Sequence, residues 1–265
     1  AVRSGTVTID TGTPIALGIG GGVGASGTAV ISNGGAVSSG AGVALGTQGF
    51  GVLQIGEGGA AGTLSVGQIR GGQLGGSGQI IFNHNESAYT FANAIGDSVL
   101  GASISVFQNG SGVTTLTSTI NEYVGGTFLN NGVLSVSANA NLGDAASILN
   151  FNGGTLRATS SFTMNRSGTF NSTGTLEVTS GTLTQQGAFS GAGGLVKIGT
   201  GQLTLTGSNS YSGVTAVRAG TLYVSGTGAK ILQGSSDFDV ARSAGEAASL
   251  EVSGGAEVNA SFLAV

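Results

Sequence analysis

His84 is the only imidazole in the sequence, and there is no cysteine. Thiol nucleophiles, disulfides and cysteine-ligated metals are therefore excluded. A Ser–His–Asp triad would have to be built on His84. The residue sits in Ile80-Ile81-Phe82-Asn83-His84-Asn85-Glu86, where strand-like alternation continues. It reads as a strand histidine before it reads as a catalyst or ligand, and no second His completes a common transition-metal site. Two carboxylate pairs are candidates for glycoside chemistry: Glu122 with Asp144, 22 residues apart, and Asp237 with Asp239 on one strand face. Such chemistry wants carboxyls about 5–5.5 Å apart for retention or about 6.5–9.5 Å for inversion, and stacked strands lie about 4.8 Å apart. Against it, there is no Trp to stack a sugar and Lys and Arg are few. Solvated loop acids are the plainer reading. Gly22-Val23-Gly24-Ala25-Ser26-Gly27 matches the pattern of a dinucleotide loop, but that loop needs a following helix. Here Thr-Ala-Val-Ile follows, a strand phrase. Thr-x-Thr recurs from 6–8 to 204–206 at irregular intervals, which fits strand propensity better than one ice-ordering row. Sequons at Asn85, Asn109, Asn165, Asn171 and Asn259 are what chance gives a chain this rich in Ser and Thr.

The elements that would carry these groups follow from composition and repetition. Of 265 residues, 53 are Gly, one is Pro and 8% are charged. Mean hydropathy is +0.31. Disorder needs the opposite balance of charge and hydropathy, so the chain is expected to fold. A formal charge of −4 with eight scattered Lys and Arg argues against a nucleic-acid partner. No run of about 18 apolar residues predicts a membrane-spanning helix. The start, Ala-Val-Arg-Ser-Gly, does not read as a signal peptide.

A phrase of Gly, any residue, apolar, any residue, apolar recurs at Gly5, Gly27, Gly51, Gly62, Gly132, Gly174, Gly201 and Gly220, more weakly at Gly154, with a loose period near 20–22. Each copy alternates like a half-buried strand. Short strands at such spacing fit a solenoid of stacked turns. Leu64 with Val66, and Leu222 with Val224, are expected to face inward, with Gly and Asn-Gly pairs at the corners. At about 22 residues per coil the chain makes roughly 12 coils.

A larger repeat fixes the register. Tyr123, Thr127, Gly132, Leu134 and Val136 match Tyr211, Thr215, Gly220, Leu222 and Val224 at an offset of 88, and Gly110, Gly112 and Leu116 match Gly199, Gly201 and Leu205 at 89. Taken as four times 22, this places the copies four coils apart. A GG phrase recurs in 29–37, 53–61 and 250–258, and the sequence ends in mid-repeat. The whole is read as one β-helical region, 1–265, excerpted from a longer chain, with repeat units near 106–136 and 196–224.

The stretch from Gly193 to Thr215, with Lys-x-Gly, Gly199-x-Gly201, Leu203-Thr-Leu205-Thr-Gly, Asn-x-Tyr211 and Thr215, followed by Gly220-Thr-Leu222-Tyr-Val224, closely resembles the autotransporter-associated β-strand repeat of bacterial autotransporter passenger domains. The copy at 106–136 departs from it: Asn109 and Gly110 replace Lys-x-Gly, and Glu122 stands where the Asn-x-Tyr spacer belongs. The resemblance implies an all-β, right-handed parallel β-helix, exported through the periplasm and outer membrane and displayed extracellularly. It also implies a translocator β-barrel of the same polypeptide as partner. It marks Gly199, Gly201, Leu203, Leu205, Tyr211, Thr215, Gly220, Leu222 and Val224 as the repeat's structural residues. The leading expectation is a non-enzymatic structural stem whose repeats assist folding-linked secretion, with no cofactor, no metal and no membrane insertion by this region. An adhesin segment contacting host surface, matrix or glycan ligands is the second reading. A polysaccharide-active enzyme is the third.

Overall fold

The computed structural model describes residues 5–8, 15–71, 75–96 and 103–265. Among these the structure is a β-solenoid of about ten turns. The strands stack in parallel, and the one helical element is a 3-10 turn at Asn139–Leu142. No described helix is long and apolar enough to cross a membrane. The chain forms two compact units, residues up to 134 together with 140–147, and 135–139 together with 148–265.

In the first unit each turn visits three sheets. One stacks Ser26–Ile31, Phe50–Ile55, Ser77–Phe82, Ser103–Gln108 and Thr127–Leu129 in sequence order. A second stacks Ala36–Ser39 on Thr63–Val66 and, further along, Tyr89–Phe91 on Val113–Leu116. The third stacks Ile15–Ile19, Gly42–Leu45, Ile69–Gly71 and Ile95–Gly96. Alternation sends every second side chain inward. Ile31, Ile55, Phe82, Gln108 and Leu129 therefore form one buried column. Leu64 is buried as expected, whereas Val66 is half-buried at the end of its strand.

The second unit repeats the scheme. Thr155–Ala158, Gly174–Val178, Leu195–Ile198, Thr215–Val217, Asp237–Val240 and Phe262–Ala264 form its longest sheet. Phe162–Met164, Thr182–Gln185, Gln202–Leu205, Ala219–Ser225 and Ala247–Ser253 form another. Leu183, Leu203 and Leu222 are stacked neighbours with no solvent exposure. Phe151 is level with Phe170, and Phe189, level with Gly168, fills the space over that glycine. The result is an aromatic ladder with centroid steps of 4.9 and 4.8 Å, and Tyr211 meets Phe170 edge-on at 5.2 Å.

The turn count differs from the sequence expectation of twelve because the turns are unequal. Register partners lie 24, 27 and 26 residues apart between Ser26 and Ser103. They lie 19–21 apart between Leu149 and Leu222. Extra residues go partly into longer strands, six residues at Phe50–Ile55 against three at Leu149–Phe151, and partly into corners, where loop length costs little. A turn of 19–21 also means that 88 residues is not four turns, so the inference from four times 22 does not hold.

Burying the leucine columns is worth about 25 cal/mol per Å² of apolar surface. Leu203→Asp or Leu222→Asp puts a carboxylate into a column without a cation. Each is expected to lower stability in urea by more than about 3 kcal/mol. A change under about 1 kcal/mol would contradict the inward assignment.

Candidate functional site in the two repeat units

Most of the residues singled out for catalysis are engaged in structural contacts. His84 is fully buried. Its Nδ1 accepts the Glu86 backbone N–H at 3.3 Å, which places the ring proton on Nε2, 2.9 Å from Thr114 Oγ1. Its ring lies 4.9 Å from Tyr89. Burial lowers the pKa of His84, and the neighbouring Glu86 opposes that shift. Gly22–Gly27 makes a turn closed by Ala25 N–H on Gly22 O and runs straight into the strand Ser26–Ile31. Glu122 and Asp144 are exposed. Asp144 caps its own turn, accepting Ala146 N–H at 2.7 Å, and its amide donates to Tyr123 O, so the two acids are not level. Asp239 pairs with Arg242 at 3.1 Å, and Asp237 accepts the Ser261 hydroxyl at 3.1 Å. The described residues hold no group of three or more metal-ligating side chains of the His, Cys, Asp and Glu types. The Thr rows break, with Thr182 and Thr184 level with Gln202 and Thr204, then with Thr221 and Tyr223. Asn109 and Asn171 serve in side-chain pairs with Asn130, at 2.7 Å, and Asn152, at 2.9 Å.

The two repeat units are where specific side chains converge. Tyr211 and Tyr123 are fully buried, and each phenol meets the hydroxyl of the Thr four residues on: Thr215 at 2.7 Å and Thr127 at 2.8 Å. Burial pushes the Tyr211 phenol above its ordinary range, and the Thr215 hydrogen bond works against that shift. Two residues before each Tyr stands an Asn that ties three successive turns. Asn209 Oδ1 accepts Phe189 N–H at 2.9 Å, and its Nδ2 donates to Gly207 O and Lys230 O, both at 3.0 Å. Asn121 does the same with Ile95 N–H at 3.0 Å, Ser118 O at 3.2 Å and Asn141 O at 2.8 Å. The expectation that Glu122 displaces this motif is therefore corrected. Asn121-Glu122-Tyr123 is a complete Asn-x-Tyr, and Glu122 merely fills its outward middle position.

Gly220 has φ +69° and Gly132 φ +55°. A Cβ on Gly220 would lie 2.4 Å from Gly201 O and 2.5 Å from Gly199 O, and one on Gly132 would lie 2.4 Å from Gly110 O and 2.5 Å from Gly112 O. The same three-glycine cradle thus occurs in both copies, because one turn crosses the backbone of another with no room for a side chain. Leu203, Leu205, Leu222 and Val224 are all fully buried.

One buried polar residue stands at the corner preceding each Gly-x-Gly; from the sequence, Lys197 was placed in its Lys-x-Gly but Asn109, not Gln108, was set against it. Lys197 Nζ donates to Ile198 O at 2.9 Å, Gly199 O at 2.8 Å and Ala219 O at 2.9 Å. Its counterpart is Gln108, 89 residues earlier, and not Asn109. Gln108 Nε2 reaches Gly110 O at 3.0 Å and Gly112 O at 3.3 Å. Gln185 reaches Gly187 O in the same way, at 2.8 Å. The signal was the shared form, Lys or Gln, any residue, Gly, at the end of a strand.

Tyr211→Phe leaves the buried Thr215 hydroxyl without its partner and is expected to cost about 1–2 kcal/mol in denaturant unfolding. An unchanged midpoint would show that the pair contributes nothing. For His84 the folded pKa lies below the unfolded value near 6.5. The unfolded chain then binds the extra proton first, so this contribution is complete above the unfolded pKa and is lost as pH falls through the folded one. The first unit should melt at lower temperature at pH 5 than at pH 7, and His84→Asn should flatten that slope. A slope unchanged in the variant would assign it to other groups.

Comparison with known proteins bears on these units directly. The model of the passenger-associated-transport-repeat family matches residues 106–136 and 195–224. The adhesin BmaC autotransporter of Brucella suis biovar 1 (strain 1330) is 39% identical over 108 residues, which is 40% of this chain and 3% of that protein. The chain thus corresponds to only a small part of the relative's length. No solved structure matches. Two corresponding units of the β-solenoid are thus the stretches similar to the passenger-associated-transport-repeat family.

Proposed function

We propose that the chain is the structural stem of an exported autotransporter passenger and that its two repeats assist folding-linked secretion. One observation carries this reading: each repeat contains its own template. In the second repeat, Leu195–Ile198 pairs with Thr215–Val217 and Gln202–Leu205 pairs with Ala219–Ser225. In the first, Ser103–Gln108 pairs with Thr127–Leu129, and Val133 N–H donates to Gly112 O. Thirty residues thus hold one turn-to-turn contact on each of two faces. Folding of stacked repeats propagates between nearest neighbours. A chain emerging through a pore would form such a unit as soon as it cleared, and each added turn would oppose backsliding without a nucleotide. The partner in this reading is a translocator barrel of the same polypeptide, and the destination is the cell surface.

The relative's name as an adhesin supports a second reading, in which the solenoid also contacts a host or matrix ligand. Three of the four carboxylates that motivated the catalytic reading have structural partners: Asp144 caps a turn, Asp239 pairs with Arg242 and Asp237 accepts a serine hydroxyl.

Deleting residues 196–224 from the full-length parent is expected to reduce surface display, measured by antibody labelling or surface proteolysis, more than deleting 29–61. Equal losses would mean that the unit is an ordinary turn of the stack.

A further inference from the structure

Four Asn-Gly steps occur in the chain, at 33–34, 109–110, 131–132 and 152–153. Such a step can rearrange without an enzyme. The glycine nitrogen, once deprotonated, attacks the asparagine side-chain carbon Cγ. The bond from Cγ to the side-chain nitrogen breaks and ammonia leaves, closing a five-membered succinimide ring. Water then opens the ring at either carbonyl, giving aspartate or isoaspartate. Nothing is oxidised or reduced, and solvent supplies the water. Glycine favours the step because it has no Cβ to obstruct ring closure. In a folded chain the rate depends on whether nitrogen and carbon are already set against each other, since such a geometry removes much of the orientational barrier.

The four steps differ in this respect. Gly34 N–H donates to Ala61 O at 2.9 Å and Gly110 N–H to Phe82 O at 3.0 Å, so both nitrogens are engaged by neighbouring turns rather than by their asparagines. Asn109 is held in addition, because its Oδ1 accepts Asn130 Nδ2 at 2.7 Å. Asn152 Oδ1 is likewise taken by Asn171 Nδ2 at 2.9 Å. At 131–132 the arrangement is different. Gly132 N–H points at the carboxamide of Asn131 itself, 2.8 Å from Oδ1. Removing that proton leaves a lone pair directed at the group to be attacked. Asn131 is exposed, so base and water reach it.

The position also makes the product matter. An isoaspartate routes the main chain through the side-chain carbon, and so inserts one extra backbone carbon immediately before Gly132. Gly132 is part of the three-glycine crossing, where a Cβ would lie 2.4 Å from Gly110 O and 2.5 Å from Gly112 O. Backbone packed that closely has no room to shift by the width of an atom. The second copy is exempt, because the residue 88 positions on is Ala219, which has no carboxamide.

We propose that Asn131 is a self-modification site: it closes on the Gly132 nitrogen, opens to isoaspartate and so loosens the glycine crossing of the first repeat, while the second repeat, with Ala219, keeps its own.

The test uses the purified 265-residue chain, aged at mildly alkaline pH and followed by peptide mass spectrometry, with isoaspartate counted by enzymatic methylation. In the folded chain Asn131 should convert at least about fivefold faster than Asn33, Asn109 or Asn152. In urea the preset geometry is gone, and the four rates should converge to within about threefold. The Val133 amide donates to Gly112 O across the crossing. In the converted protein its protection from hydrogen exchange should fall at least about tenfold. Asn131→Ala, which copies the second repeat, should fold, form no isoaspartate at this position and keep that protection on ageing. A folded-state rate at Asn131 no higher than at the other three, or an advantage that persists in urea, would overturn the assignment. Unchanged Val133 protection in the converted protein would overturn the loosening.

Discussion

Everything in this molecule depends on stacking one turn of backbone directly on another. Within the sheets the ladder satisfies itself, since each strand donates to and accepts from its neighbours. At the corners the chain changes direction, the ladder stops and carbonyls are left over. A buried carbonyl must find a donor. The fold answers with a small set of side chains. Asn209 and Asn121 bridge three turns each. Thr179 and Thr200 donate their hydroxyls to Ala158 O and Thr179 O on the preceding turn. Gln108, Gln185 and Lys197 close the corners before Gly-containing turns.

The same stacking explains the glycine content. At corners such as Gly220 and Gly132 the backbone of one turn passes within contact distance of another, so a Cβ would occupy the site of a carbonyl oxygen. Glycine there removes an obstruction as well as permitting positive φ. Scarcity of charge follows from the same source. With many short strands and an interior of columns, few positions are loop tips where a charge is solvated, and several charges that occur are matched across turns, as in Arg157 with Glu177 and Lys230 with Glu257. Exposed pairs of this kind add little stability, and the columns hold the stack together.

Two stretches stand out from this background because they concentrate its devices. Each stretch matched by the passenger-associated-transport-repeat model gathers an Asn that ties three turns, a buried Tyr–Thr pair and a three-glycine crossing into about thirty residues. The second adds a buried ammonium shared between turns. Elsewhere the interior is mainly apolar, with the aromatic ladder of Phe151, Phe170 and Phe189 and the buried His84–Thr114 pair among its contacts. Polar side chains that bridge turns and glycine crossings that admit no Cβ tie neighbouring turns at defined points.

The sequence by itself determined the all-β class, the stacked arrangement and the inward faces, because alternation and recurrence are local properties of the chain. Leu203, Leu205, Leu222 and Val224 are buried as their spacing requires. It also carried the Tyr and Thr spacing shared by two copies, though that their hydroxyls meet came from the structure. The number of residues per turn was not legible: longer strands and corners both absorb extra residues, so a mean period of 22 conceals turns of 19 and of 27. Nor were the roles of Lys197, Gln108, Asn121 and Asn209, since their acceptors are backbone carbonyls, which every residue possesses and no sequence pattern marks. His84 was legible as a strand residue, but its Thr114 partner, 30 residues away, was fixed only when one turn came to rest on another. What tertiary structure decided was which carbonyl each polar side chain meets, because that depends on register between turns, and register is a property of the stack rather than of any strand.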